Sequence, residues 1–210
     1  MNRKLVIVGR SSSGKDSMAT CLKEQFGMEM LLSTTTRPPR YTGEDTHIFI
    51  SEEEANQITE RVAETVINGY QYFATRGQFE DCDIYIIDPV GLDELCKRAP
   101  DIDKCVVYVN ASKNTRKKRA IARAEDPKEA ERVFDLRHSD EGPMFTEFER
   151  LVYADDLTEF HKRYPSVSVV ITVENERCDK AAMDHKAELV NMYNDQMDLG
   201  DVFGVYLHRI

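Results

Sequence analysis

The chain has 210 residues, and its 38 acidic and 28 basic residues give a formal net charge of −10. This length fits one compact α/β domain with small excursions better than two full domains. An acidic surface of this size argues against non-specific binding to nucleic acid, although a local arginine cluster can still bind a small anion. The apolar run at residues 5–8 is too short for a signal peptide or a membrane span, so we expect a cytoplasmic protein without a membrane partner.

The cysteines show no spacing that is typical of a metal knuckle or a redox pair. We therefore expect reduced, buried thiols at all five positions, which are Cys21, Cys82, Cys96, Cys105 and Cys178.

Short apolar runs alternate with helical patterns along the chain. In chain order, the runs predict strands at residues 4–8, 28–33, 83–88, 104–110 and 166–173. The other periodic stretches predict helices at residues 16–26, 92–98, 113–124, 128–138 and 179–197. Strands that alternate with helices indicate a parallel sheet covered by helices on both faces.

Two segments depart from this alternation. Residues 34–78 are polar and are interrupted by prolines and a glycine, and residues 116–145 are dense in charge and are expected to be exposed. Both follow the carboxyl ends of predicted strands, where open α/β sheets bind their ligands. They are therefore candidates for mobile flaps over a site.

The residues after the first predicted strand carry the strongest chemical signal. The sequence G-R-S-S-S-G-K at residues 9–15 precedes a predicted helix. This pattern and context are typical of a loop that turns its backbone N–H groups around a phosphate chain, beside the positive end of a helix dipole. We call residues 9–15 the phosphate loop and predict that its members bind a nucleotide: Gly9, Arg10, Ser11, Ser12, Ser13, Gly14 and Lys15.

The hydroxyl residue that usually follows the loop lysine is displaced, since Asp16 stands there and Ser17 comes next. Asp16 suits the first turn of a helix, because a carboxylate interacts favourably with the helix dipole. Direct ligation of a metal by Asp16 is the alternative. We count both residues in the nucleotide site and take Ser17 as a predicted Mg²⁺ ligand.

A second anion-binding loop follows the strand predicted at residues 28–33. Arg37 and Arg40 lie three positions apart, and Pro38 and Pro39 stiffen the chain between them. Two planar guanidinium groups in this arrangement can converge on one phosphate group.

The same segment resembles the signature of the guanylate kinase family, S-x-T-T-R-x-P-R followed by glycine and glutamate. One additional residue, Thr42, precedes Gly43 and Glu44. The resemblance extends over about the first three quarters of the chain. The matching residues are Ser33, Thr35, Thr36, Arg37, Pro39 and Arg40.

The resemblance assigns acceptor-binding roles further along the chain. His47 takes the place of a family tyrosine and can still donate to a phosphate, and Tyr72 matches a second phosphate-binding tyrosine. The family glutamate that reads the edge of guanine matches Glu64 only if one residue is deleted before Gly69. Without that deletion the position falls on Ala63, and a slip of one residue in a strand moves a side chain to the other face.

An acid and three arginines complete the resemblance. Asp88 ends a predicted strand, where an acid commonly lies near the metal or the acceptor, but Ile86 replaces the first of two family acids. Arg119 and Arg123 match arginines of a mobile lid, and Arg132 matches a third. Lid arginines stabilise the charge of a transferring phosphoryl group when the lid closes.

The resemblance implies a single-domain, three-layer α/β P-loop kinase over residues 1–210. Its core comprises residues 1–33, 81–111 and 144–210, its acceptor-binding segment residues 34–80, and its lid residues 112–143. The implied reaction transfers the γ-phosphoryl group of ATP to GMP or dGMP, with Mg²⁺ bridging the ATP phosphates. The implied catalytic residues are Lys15, Arg37, Arg119 and Arg132; the implied acceptor site is Ser33, Arg37, Arg40, His47, Glu64, Tyr72 and Asp88; and the implied metal ligands are Ser17 and Asp88.

Two other functions stay open. A kinase of the same design could act on another ribo- or deoxynucleoside monophosphate, which the departures at His47, Phe73, Ala74 and Ile86 favour. A binding module of the same fold that has lost catalysis would typically lack an intact phosphate loop, whereas this chain keeps one. The sequence indicates small-molecule nucleotides as partners and leaves the oligomeric state open.

Overall fold

The computed structural model describes residues 3–39, 41–67, 69–177 and 179–196, and the backbone of a final strand at Tyr206–Arg209. In chain order its elements are β1 (Lys4–Val8), α1 (Lys15–Phe26), β2 (Thr34–Thr35), β3 (Ile48–Phe49), α2 (Glu52–Gln57), β4 (Arg61–Ile67), β5 (Tyr70–Thr75), α3 (Arg76–Asp81), β6 (Ile84–Ile87), α4 (Pro89–Arg98), β7 (Lys104–Asn110), α5 (Lys113–Ala122), α6 (Pro127–Val152), α7 (Thr158–Arg163), β8 (Val167–Glu174), α8 (Lys180–Gln196) and β9 (Tyr206–Arg209).

The central sheet is parallel, with strand order β6-β1-β7-β8-β9. Strands β1, β6, β7 and β8 are covered on both faces because their side chains alternate between two apolar clusters. Leu5 and Ile7 of β1 pack with α1 and α8, whereas Val6 and Val8 pack with α4, α6 and α7. This arrangement confirms the predicted α/β fold with helices on both sides of a parallel sheet.

The polar segment that interrupts the alternation forms a second sheet, with strand order β3-β2-β5-β4. Its β4–β5 hairpin is antiparallel, and Thr65 of β4 lies opposite Tyr72 of β5. Helix α2 follows β3 and begins at a capping box, in which Ser51 and Glu54 satisfy each other's backbone N–H groups. None of these elements was predicted, because β2 and β3 have only two residues each and the segment lacks a continuous apolar run.

Two predicted elements need correction. Residues 28–33 do not form a strand; a single bridge joins Met30 to Ile84, and Leu32 is exposed where a core strand would bury it. The helix predicted at residues 128–138 continues to Val152, because apolar side chains recur at helical spacing beyond it and face the core: Phe145, Phe148, Leu151 and Val152. Strand β9 was not predicted.

Residues 116–145 are also less exposed than expected, since the side chains of Arg116 and Phe134 are buried. The predicted buried thiols are confirmed at four positions, and Cys178 lies outside the described residues. Burial raises the pKa of Cys82 to about 12, so this thiol stays protonated. None of the helices in the described part of the chain combines the length and the apolar character that crossing a bilayer requires.

Candidate functional site

The phosphate loop starts at the end of β1, which lies between β6 and β7 in the parallel sheet. Val8, the last residue of β1, pairs with Ile87 of β6 on one side and with Tyr108 of β7 on the other. Gly9 and Asp88 therefore leave neighbouring strands side by side, at the sheet edge where ligands bind in this class of fold. The described structure brings the predicted loop and the predicted acid together.

Two glycines of this loop lie where no other residue fits. Gly14 has a φ of +100°, and a Cβ atom there would lie 2.2 Å from Asn175 Nδ2. A Cβ atom on Gly9 would lie 2.6 Å from the carbonyl oxygen of Val109. Asn175 is fully buried at the end of β8, and its Nδ2 donates to the Ser13 carbonyl at 2.8 Å. The loop is therefore packed tightly between β7 and the residue that follows β8.

Gly14→Ala should disrupt the loop by more than the cost of its backbone conformation alone. We expect a lower free energy of unfolding and impaired nucleotide binding, because the methyl group must displace Asn175. Gly27→Ala is the matched control: Gly27 also has a positive φ, +67°, but has open space around its Cβ position. Gly27→Ala should cost about 1 kcal/mol by urea unfolding. Equal losses in the two variants would show that the contact with Asn175 is unimportant.

The three residues after Gly14 open helix α1. Lys15 Nζ lies 3.3 Å from Asp16 Oδ2, and Asp16 has an exposed side chain. The Ser17 side chain is also exposed. Lys15 and Ser17 are thus accessible at the positive end of the helix, while Asp16 serves as an acid of the first turn.

Two arginines of helix α5 contact the phosphate loop. Arg119 donates to the Ser13 carbonyl at 2.9 Å and to the Asn175 carbonyl at 2.6 Å. Arg123 Nη2 lies 2.7 Å from Ser12 Oγ. Arg132 lies apart from this group, because it forms an exposed ion pair with Glu129 one turn earlier in α6. Its predicted contact with the transferring group stays a prediction.

Arg10 connects the loop to helix α6. Its Nε and Nη2 donate to the two carboxylate oxygens of Glu149 at 2.8 and 2.9 Å, and its guanidinium group lies over the Phe145 ring. Burial alone would raise the pKa of Glu149, but hydrogen bonds from Arg10 and Tyr108 hold it below its usual value. The Arg10 side chain therefore anchors the loop.

An open cavity of about 670 Å³ lies between α5 and α6 beside the loop. Two of the positive charges in its lining are neutralised by ion pairs: Lys117 pairs with Glu131 and Asp135, and Arg10 pairs with Glu149. We therefore do not assign an anion to it. Its lining residues are Arg10, Lys113, Lys117, Asp135, His138, Ser139, Gly142 and Thr146.

The predicted acceptor-phosphate residues meet on one face of the second sheet. Arg37 Nη2 donates to Glu44 Oε1 at 2.8 Å, and its guanidinium group lies over the Phe49 ring at 5.2 Å. The hydrogen bonds that Arg37 donates to Glu44 raise the pKa of Arg37, burial opposes this rise, and a hydrogen bond with Tyr72 adds to it. The His47 ring lies edge-on to Tyr72, with ring centroids 5.5 Å apart. Arg37, His47 and Tyr72 thus form one group.

Glu64 is not part of this group. Glu64 pairs with Phe73, whereas Tyr72 pairs with Thr65 and Thr35. Neighbouring residues of a strand point to opposite faces, so Glu64 faces away from Tyr72, and Thr65 takes the place that base reading would require. Glu64 instead forms an ion pair with Arg61.

The predicted acceptor site also included Ser33 and Arg40. Ser33 lies against the buried Tyr85, where its hydrogen bond opposes the rise that burial causes in the pKa of that phenol. Arg40 lies outside the described residues.

Sequence reasoning missed Asn175 and Glu149, which hold the loop from distant parts of the chain. Asn175 could have been noted as a polar residue directly after a buried strand. Glu149 lies in a charged helix face and gives no comparable signal.

No protein-family model and no curated protein matches this sequence. The structure is similar to the crystal structure of guanylate kinase from Anaplasma phagocytophilum, with a TM-score of 0.53 and 14% sequence identity over 94% of this chain and 88% of that one. An uncharacterized protein from Eubacterium ventriosum also matches at 14% identity over 93% of this chain and 99% of that one, but its TM-score of 0.43 is too low to support an argument. The chain therefore shares its fold, at a distant level of similarity, with a guanylate kinase.

Proposed function

We propose that this protein is an ATP-dependent nucleoside monophosphate kinase. The observation that carries the proposal is that an intact phosphate loop and an arginine–tyrosine–histidine group face a common region. Asp88 lies beside Gly9, and Gly91 follows in the first turn of α4. A Cβ atom on Gly91 would lie 3.4 Å from Thr65 Oγ1, on the face of the second sheet that carries Tyr72. The face that carries Tyr72 thus packs against the first turn of α4, which follows Asp88.

ATP fits the donor set of the loop. The tight backbone around Gly14 presents N–H groups at a helix N-terminus, which is a favourable place for phosphate oxygens. Lys15 supplies a mobile positive charge there, and its exposed partner Asp16 offers only a weak ion pair. Arg119 and Arg123 hold the loop and the last turn of α5 together.

Mg²⁺ also fits, because the two predicted ligands supply oxygen atoms, which this ion prefers. Asp88 Oδ1 accepts the Gly91 N–H at 2.8 Å and thereby fixes the carboxylate at the start of α4. Ser17 offers an exposed hydroxyl group in α1. Within the described residues no cluster of three metal-binding His, Cys, Asp or Glu side chains occurs, so phosphates and water would have to complete the coordination. Bound Mg²⁺ would neutralise charge on the phosphates during transfer.

In the proposed reaction the chain positions two substrates and excludes water. Arg37, His47 and Tyr72, with Arg40, bind the acceptor phosphate. Residues 112–143, which include α5 and the first part of α6, form the lid. No covalent intermediate with the protein is needed, because positioning and charge stabilisation supply the catalysis.

The base of the acceptor is the point at which the structure favours an alternative. Guanine presents two adjacent donors that suit a carboxylate, but Thr65 rather than Glu64 lies on the acceptor face. A hydroxyl group both donates and accepts, so it does not select guanine. GMP and dGMP are therefore candidate acceptors alongside other ribo- and deoxynucleoside monophosphates.

A screen of ADP release over all these monophosphates tests the proposal. We expect turnover with at least one, and a change of less than about threefold in kcat/KM on Glu64→Gln. Thr65→Val is the matched variant on the adjacent position and should change the ratio between acceptors. If Glu64→Gln lowers kcat/KM about tenfold or more with GMP alone, Glu64 binds the base after all. ATP binding without turnover of any acceptor would favour the binding module.

A further inference from the structure

The carboxylate of Glu141, in the middle of helix α6, lies directly on the phosphate loop. The backbone N–H of Ser11 donates to Glu141 Oε2 at 3.1 Å and points toward Oε1 at 3.3 Å. The Ser11 hydroxyl group donates to Oε1 as well. One carboxylate therefore takes both donors of this loop residue.

These donors belong to the cradle that a nucleotide phosphate would use. The Ser13 N–H already donates to the Arg10 carbonyl within the loop, at 3.1 Å. The loop therefore has few other N–H groups that could bind a phosphate. A carboxylate and a phosphate carry charge of the same sign and accept from the same groups. Both cannot occupy Ser11, and a carboxylate beside an incoming phosphate repels it.

Glu141 differs from Glu149, the other carboxylate of α6 at the loop. Glu149 is neutralised by a bidentate pair with the buried Arg10. Within the described residues, the hydrogen bonds of Glu141 go to Ser11 alone, and no cation lies within ion-pair distance of it. The Glu149 contact is a fixed anchor, whereas the Glu141 contact can be exchanged for a better anion.

We propose that Glu141 is an internal competitor for the nucleotide phosphate: its carboxylate docks α6 on the phosphate loop and must leave Ser11 when nucleotide binds. This inference concerns the regulation of the proposed nucleotide site and rests on the proposed function. Because nucleotide binds only when Glu141 has left Ser11, the apparent affinity of the loop is reduced. The reduction depends on the fraction of molecules in which Glu141 is docked.

Calorimetric titration with ADP tests the competition. Glu141→Gln removes the charge and keeps an acceptor, and Glu141→Ala removes the contact. Both should bind ADP about tenfold more tightly than the wild type, as expected for release of a charge-assisted contact. Asp140→Asn is the matched control, because Asp140 is an exposed acid next to Glu141 and makes the same change in net charge. It should bind ADP like the wild type.

Amide exchange without nucleotide tests the contact by itself. The Ser11 N–H should exchange faster in Glu141→Ala than in Asp140→Asn; equal rates would overturn the inference. If Lys15→Ala weakens ADP binding while the Glu141 variants match Asp140→Asn, the competition fails and the nucleotide site stands. If neither the wild type nor any variant binds ADP, both the inference and the proposed function fail.

Discussion

Lys15→Ala should lower kcat/KM for ATP by about a hundredfold to a thousandfold and leave the fold intact. In the proposed reaction, Lys15 is the cation that reaches the phosphates from the end of the loop and stabilises the charge that grows during transfer. Within the described residues it pairs only with the exposed Asp16, at 3.3 Å, so the ammonium group contributes little to folding. The measurement is steady-state kinetics with the best acceptor of the screen, together with urea unfolding.

Lys23→Ala provides the control for this variant. Lys23 is an exposed lysine in the last turn of the same helix, and its loss makes the same change in net charge. Both variants should unfold at nearly the wild-type urea concentration. Turnover in Lys15→Ala within a few-fold of that in Lys23→Ala would contradict the assignment of the phosphate loop.

Glu44→Gln should lower the free energy of unfolding by about 3–5 kcal/mol. The Arg37–Glu44 pair is almost fully buried, with 10% and 1% of the two side chains exposed. Removal of the negative charge leaves the Arg37 guanidinium group without compensation in a site that water reaches poorly. Urea unfolding measures the loss, and Glu53→Gln, an exposed acid of α2, should change stability by less than about 0.5 kcal/mol.

A double variant separates the buried charge from the packing. Arg37→Met with Glu44→Leu removes both charges, so it should be less destabilised than Glu44→Gln. It should also lose acceptor turnover, because no guanidinium group remains for the phosphate. If the double variant loses as much free energy of unfolding as Arg37→Met and Glu44→Leu lose together, the two side chains act independently.

The phosphate loop was predictable because its signal is local. One apolar strand, the loop pattern and a helix follow each other within 26 residues, and the strand and helix lie where their periodicity placed them. The same holds for β7, whose bounds agree with the prediction at both ends. Each buried strand of this sheet carries its own apolar run, so no distant contact is needed to recognise it.

The face of Glu64 was not predictable, because strand register depends on one turn. Ile67 pairs with Tyr70, and Gly69 between them has a φ of +83°. Counting back from that pair places Thr65, not Glu64, opposite Tyr72. A turn shorter by one residue would reverse the assignment, and nothing in the composition of β4 fixes the length of the turn.

The residues that hold the phosphate loop in place could not be predicted either, for a related reason. Asn175 and Glu149 contact residues 162 and 139 positions away, and neither belongs to a motif. Such contacts follow from how whole helices and strands pack. The sequence therefore predicted which residues form the loop but not which residues hold it.

Helix α6 is a single element of 26 residues that contains Pro143. Proline lacks the N–H that would bond the carbonyl four residues earlier, so the helix has one weak joint, two residues after Glu141. The part beyond the joint is fixed in the core by Phe145 and Phe148. The part before it is a lever of about 24 Å, and a bend of about 10° at the joint would move the first turn by about 4 Å. A small rotation where Glu141 leaves Ser11 would thus be magnified at Arg132, near the start of α6.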